Sequence, residues 1–325
     1  MWQAVNAALA EELERDPRVV LFGEDVGKAG GPFGASRGLR DRFGEARVRD
    51  TPIAEGAITG VAVGAAMTGL RPVVEIMYFD FATLAMDQLV NQAAKMRYMS
   101  GGKLAVPMTL LTFCGSGRGS GPQHSQSLEA WLAHVPGLQV VYPSNAADAK
   151  GLLKSAIRAN DPVVFIESSR LWTLRSDVPD VPDHLVPIGV ASVARAGTDI
   201  TLVSWGWAAT RTLEAAELLA AGGVEAEVLD LRTISPLDEG AILASVAKTG
   251  RLAVVHDAAG PFGPGAEVAA VVAEHGFDSL RAPVARVTAP FAPAPFAKGL
   301  EHAYYPTPER IAAAAAALLG EAAVA

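Results

Sequence analysis

Short apolar runs that read as strands alternate with longer segments of helical period along nearly the whole chain. That rhythm leaves few folds open, because strands separated by helices pair in parallel and must be covered on both faces. RVVLFGED, RPVVEIMYFDF, LAVPMTLLTFCG, LQVVYPS and PVVFIES read as strands; AEGAITGVAVGAAMTG, ATLAMDQLVNQAAKMRYMSGG and AADAKGLLKSAIRAND read as the helices between them. A stretch rich in proline and aspartate without periodicity, RSDVPDVPDHLVP, then breaks the rhythm and reads as a surface linker. Alternation resumes with DITLVSW, ATRTLEAAELLAAGG, EAEVLDLRT, PLDEGAILASVAKTG, RLAVVHDA, GAEVAAVVAEHG and APVARVTA, and ends in the helix PTPERIAAAAAALLGEA. The fold class is therefore α/β, as two doubly wound domains: residues 1–176, a linker at 177–189, and residues 190–325.

Composition narrows the function. A net charge of −8 argues against nucleic acid or an anionic membrane as the main partner, since both select basic surfaces. No run of 18 or more apolar residues appears, and the opening MWQAVNAALAEELERDPRVV reads as an amphipathic helix with acidic charges, so the expected location is the cytoplasm. Cys114 is the only cysteine, which excludes an intrachain disulfide; nothing beside it reads as a base for a catalytic thiol, so it is taken as a small loop residue.

One carboxylate stands out. Glu55 heads an otherwise uncharged run that continues to Arg71. From position alone it is an acid favoured by the unpaired N–H groups and dipole of a helix N-terminus. Gly60 and Gly64, four apart, give the same helix a face of nearly bare backbone, and each interior glycine costs about 1 kcal/mol against alanine. Close approach of another helix would account for that cost.

The spacing here resembles thiamine diphosphate enzymes, whose pyrimidine-binding domain carries a glutamate, four residues, Gly, an apolar residue, two residues, Gly and an apolar residue. In this chain the series is Glu55, GAIT, Gly60, Val61, Ala62, Val63, Gly64 and Ala65. ELERDPRVVLFGEDVG, MDQLVNQAAKMRYMSGG, GPQHSQSLEAWLAHVPGLQVVYPS, EVLDLRTISPLD and TPERI extend the likeness to the beta subunit of the decarboxylating first component of 2-oxo acid dehydrogenase complexes. It covers essentially the entire chain. The fold it implies is a pyrimidine-type thiamine diphosphate-binding domain followed by a transketolase C-terminal-like domain.

The resemblance also implies roles. Glu55 hydrogen-bonds N1' of the cofactor's aminopyrimidine, driving it toward the imino form that takes a proton from the thiazolium. Phe81 stacks on that ring, Ile53 lines its pocket, and Glu24 is an acid backing the site; packing and a solvated loop charge are the bland readings of these three. His124, in GPQHSQS, becomes the acid–base or acyl-transfer residue, positioned by Gln123 and Ser125. His134 reads as structural and the role of Asp257 stays open. Potassium in the family is held near positions matching Met108, Ala156, Ile157, Ala159 and Asp161, although IRAND departs from the usual pattern.

The chain has no GDG motif for the Mg²⁺ that holds the diphosphate, and no dinucleotide fingerprint or P-loop. The resemblance thus implies half a cofactor site, completed by an alpha subunit in an α2β2 heterotetramer that hands acyl groups to a lipoyl acyltransferase core. MDQLVNQAAK favours pyruvate or acetoin over branched-chain substrates, while SSRLWTLR and LTFCGSG depart from the commonest patterns. An acetoin-cleaving or transketolase-like enzyme, a branched-chain dehydrogenase subunit and a non-catalytic scaffold are the alternatives.

Overall fold

Val19 to Gly23 is a run of apolar residues closed by glycine, and it forms the strand β1 (Val19–Gly23) with neighbours on both sides. Its partners are β2 (Val48–Asp50) and β3 (Arg71–Ile76), both parallel to it. Beyond β3 follow β4 (Thr109–Cys114), β6 (Val163–Ser168) and β5 (Gln139–Val141), giving the order β5-β6-β4-β3-β1-β2 in the first of two units. The computed structural model describes residues 1–181 and 183–320. Its first unit comprises Met1–Gly115 and Trp131–Ile188; the second takes Ser116–Ala130 and the chain from Gly189 onward.

Helices cover the first sheet: α1 (Trp2–Arg15), α2 (Leu39–Phe43), α3 (Glu55–Met67), α4 (Ala94–Met99), the short α5 (Glu129–Ala133) and α6 (Ala146–Arg158). Asn145 starts α6 as its N-cap, accepting the Asp148 N–H. Helices α1 and α6 are joined by ion pairs: Lys150 and Lys154 reach Glu11 at 2.6 and 2.7 Å, and Arg158 reaches the buried Glu12 at 2.6 Å. The stretch read as a linker lies along this unit, with Asp183 bonded to Arg158 and the Val186 carbonyl accepting from Ser155 at 2.6 Å.

The second sheet runs β12-β11-β8-β9-β7, built from β7 (Ser192–Arg195), β8 (Ile200–Ser204), β9 (Ala226–Asp230), β11 (Leu252–Ala259) and β12 (Ala285–Ala289); the short β10 (Thr233–Ser235) follows β9 in the chain and is not part of this sheet. All its pairings are parallel except the antiparallel edge β7–β9. Helices α7 (Gly206–Ala221), α8 (Glu239–Thr249), α9 (Pro264–His275), α10 (Lys298–Tyr304) and α11 (Pro308–Leu319) belong to this unit. Leu202, Val228 and Val255 of the sheet pack with Leu219 and Ile311 in one apolar core. Asp238 and Thr307 cap α8 and α11, and left-handed glycines Gly250 and Gly320 end them. The expected last helix reaches Leu319; its Glu321 and Ala322 lie outside the described residues.

Several expectations change. The strand read through Phe81 stops at Ile76, and the helix read from Ala82 to Gly102 is three pieces: a 3-10 turn Phe79–Ala85, a π-helical stretch Gln88–Ala93, and α4. Side chains compete with the α-helical ladder there, Thr83 donating to the Asp80 carbonyl and Asn91 to the Asp87 carboxylate, both at 2.7 Å. Cys114 is not a loop residue: it ends β4 opposite Ser168 and is fully buried. The glycine face of α3 is partly closed by the chain itself, since a Cβ on Gly60 would lie 3.3 Å from the Gln88 side chain, whereas Gly64 faces open space.

Candidate functional site

Glu55 is the first residue of α3 and only 6% exposed, so it combines the helix-terminal position with burial. Its carboxylate has no hydrogen-bond partner among the described residues. Glu24 is adjacent in the electrostatic sense. It is 4% exposed, its Oε1 is buried without a partner, and burial first, then the charges of Glu55 and Asp25, raise its pKa.

The backbone explains that placement. Gly23, the residue before Glu24, pairs with Glu75 on β3, and a Cβ on Gly23 would lie 2.5 Å from the Glu75 carbonyl oxygen. Only glycine lets the strands approach so closely. The loop after Glu24 is held by Asp50, which accepts the N–H groups of Gly27 at 2.6 Å and Lys28 at 3.0 Å and pairs with Arg40 at 3.1 Å. Burial works against the Asp50 charge, yet those N–H groups and Arg40 outweigh it and hold the carboxyl low.

Behind Glu24 the acids continue. Glu75, 1% exposed, has neither carboxyl oxygen bonded, and burial first, with Glu24 adding, pushes it up to about 8. Glu167 on β6 is equally buried and unpartnered, and burial followed by the Glu75 charge raises it well above the usual range. Sequence reading missed both. Each is the single acid of its strand; β9 by contrast carries two, Glu227 and Asp230, and Glu227 is paired with Lys248.

Phe81 is half-buried, edge-on to Tyr78 with ring centroids 6.2 Å apart, and Tyr78 in turn is edge-on to Phe33 at 5.6 Å. Ile53 is 78% exposed just before α3, an apolar side chain with nothing over it in the single chain. An aminopyrimidine fits this set: a buried carboxylate without a partner, a half-covered aromatic ring and a bare apolar side chain. A separate cavity of about 490 Å³ beside β1 and α3, lined by Leu21, Thr51, Ala54, Ala57, Ile58 and Val61, contains none of the predicted site residues.

His124 belongs to the second unit, on a segment where Gly117, Gly119 and Gly121 all have positive φ. It is half-buried and its backbone N–H donates to the Gly121 carbonyl at 3.3 Å. Gln123 is exposed; Ser125 is buried with its hydroxyl oxygen unpartnered. Asp257, whose role the sequence left open, is buried against Arg211, and Arg211 lies 3.6 Å over the Trp207 ring. His134 is exposed in the turn after α5.

The carbonyls read as potassium ligands have other partners. Arg71 donates to the carbonyls of Ile157 at 3.0 Å and Ala159 at 2.8 Å, and to the Asn160 side chain at 2.8 Å. Met108 accepts from the Val163 N–H, Ala156 from the Ala159 N–H, and the Asp161 carboxylate pairs with Arg97 at 2.7 Å. A cation there would share its oxygens with a guanidinium, an arrangement that does not fit potassium. Among the described residues no group of three His, Cys, Asp or Glu side chains could hold a metal, and no helix is long and apolar enough to cross a membrane.

Residues 1–173 match the family model of the transketolase pyrimidine binding domain, and residues 189–311 that of the transketolase C-terminal domain. The acetoin:2,6-dichlorophenolindophenol oxidoreductase subunit beta of Bacillus subtilis (strain 168) is 45% identical over 100% of this chain and 98% of its own length. The mitochondrial pyruvate dehydrogenase E1 component subunit beta of Mus musculus is 46% identical over 92% of this chain and 84% of its own. The 2-oxoisovalerate dehydrogenase subunit beta of Bacillus subtilis (strain 168) is 44% identical over 96% and 95%. A solved structure described as a split gene transketolase, inactive beta4 tetramer, superposes with a TM-score of 0.79 at 25% identity, covering 98% of this chain and 97% of that one.

Proposed function

This chain belongs to the family of transketolase-like beta subunits of acetoin, pyruvate and branched-chain 2-oxo acid dehydrogenases, and from that membership we propose that it is the beta subunit of a first component that oxidatively decarboxylates a 2-oxo acid, pyruvate first, and passes the acyl group to a lipoyl carrier. The observation that carries the reading is Glu55, a buried carboxylate without a hydrogen-bond partner at the head of a glycine-bearing helix.

Thiamine diphosphate, when bound, supplies the electron sink for loss of carbon dioxide. Glu55 would hold N1' of the aminopyrimidine and exchange a proton with it, a hydrogen bond strengthened by the low local dielectric. Phe81 and Ile53 would cover the ring's faces and exclude water. Burial first, and then the charge of Glu55, raises the Glu24 pKa, so the two neighbouring carboxyls influence each other's protons. His124 would move the proton needed when the acyl group leaves for the lipoyl sulfur. The alpha subunit, in an α2β2 assembly, would supply the Mg²⁺–diphosphate half that a chain without GDG lacks, and a lipoyl acyltransferase core would receive the acyl group. The cytoplasm is the proposed location.

Glu55→Gln tests the reading. The expected result is a folded, assembled protein that still binds thiamine diphosphate but has lost proton exchange at the thiazolium C2, followed by NMR in deuterated buffer; exchange at the wild-type rate would refute the assignment. Acetoin cleavage is the second reading, favoured by the full-length match to the Bacillus acetoin subunit. Turnover of acetoin but not pyruvate by the chain with its alpha partner would select it.

A further inference from the structure

The segment Ser116–Ala130 is tied to the rest of the second unit at two points, one on each side of His124. Before it, the Gly119 N–H donates to Oε2 of Glu301 at 2.7 Å, and a Cβ added at Gly119 or Gly121 would lie 3.5 Å from Phe296. After it, Oε1 of Glu129 accepts the Trp205 indole N–H at 3.3 Å, and Trp205 stacks on the buried His256 with centroids 5.0 Å apart. Both acids are buried, and each keeps its other carboxyl oxygen buried and unbonded. The backbone between is rich in glycine and serine, residue types that leave a chain many conformations, so a tether on each side narrows the positions open to His124.

We propose that Glu301 and Glu129 are positioning residues for His124, two buried acids that hold the acyl-transfer histidine in place by tethering its segment to the second unit. Glu301 lies on α10, where it fixes a backbone N–H that a helix or sheet would otherwise satisfy; a carboxylate acceptor makes that bond stronger than a neutral one. Trp205 is a suitable anchor because its ring is fixed by His256 on one face, leaving the indole N–H aimed at Glu129. A histidine on a glycine-rich segment needs such support, since displacement of about 1 Å can cost about a hundredfold in rate.

The inference rests on the acyl-transfer role proposed for His124, and the experiment separates the two. The assembled enzyme with its alpha partner is assayed twice with the same 2-oxo acid, once with a lipoylated domain and once with 2,6-dichlorophenolindophenol. Glu301→Ala and Trp205→Phe are expected to lower lipoyl acylation about tenfold to a hundredfold while dye reduction changes less than about twofold. Glu301→Gln, which keeps an acceptor oxygen, should restore most of the loss. Amide hydrogen exchange across residues 116–128 of the purified chain should speed up in Glu301→Ala and not in Glu301→Gln. Unchanged acylation, or equal loss of both activities, would overturn the proposal. His124→Ala is the control: if it lacks the same acceptor-selective loss, the reading of His124 fails and the positioning role falls with it.

Discussion

Replacing Glu75 by glutamine should stabilise the protein, and increasingly so as pH rises. In the folded chain Glu75 holds its proton up to about 8, against an ordinary value of 4.5. Between those values the folded state binds a proton that the unfolded chain has released, so stability falls as pH rises through the window and levels off above it. The whole rise corresponds to about 5 kcal/mol, of which about 3 kcal/mol lies between pH 6 and pH 9. A glutamine side chain at this position cannot titrate and loses that share. With a urea slope of about 2 kcal/mol/M, the variant's unfolding midpoint should exceed the wild type's by about 1.5 M more at pH 9 than at pH 6. Tryptophan emission is a suitable probe, because Trp172 is packed against Phe113 at 4.5 Å in the same unit. The quantity to follow is the difference between the two curves, which carries the loss of Glu75 together with its effect on the neighbouring Glu167. A difference that stays constant from pH 6 to pH 9 would refute the claim that Glu75 is buried as a neutral acid.

Other substitutions probe single contacts. Gly23→Ala should cost about 3 kcal/mol, read as a lower urea midpoint, because its methyl would meet the Glu75 carbonyl at 2.5 Å. Glu12→Ala should cost about 2 to 3 kcal/mol by the same measure, since it strips Arg158 and Arg15 of a buried carboxylate. Gly64→Leu should leave the single chain's melting temperature unchanged, having open space around it, yet block assembly with the alpha subunit; a normal tetramer by light scattering would count against a partner on that face.

The alternation of strands and helices was legible because each strand, buried on both faces, is a nearly unbroken apolar run, as in Thr109–Cys114 and Val163–Ser168. Edges and short pieces were not. Strand β2 has three residues and β7 has four, too few for a period to register, and the 79–99 segment keeps helical spacing while side-chain bonds divide it. Glu55 was legible because its local context is anomalous. Arg71 was not, since its partners at Ile157 and Ala159 are 86 and 88 residues away.

The same distinction separates the acids. Glu24, Glu75 and Glu167 come from three different strands or their ends, and what makes them unusual is mutual proximity without a countercharge, a product of strand register. Glu227 is the counterexample: also buried on a strand, it meets Lys248 and Ser245 and its pKa falls, although burial alone would raise it. A lone strand acid therefore has no assigned protonation state until its neighbours are known. In the second unit Glu227 has its countercharge and serves packing. In the first, Glu24, Glu75 and Glu167 have no such countercharge, and burial raises the pKa of all three.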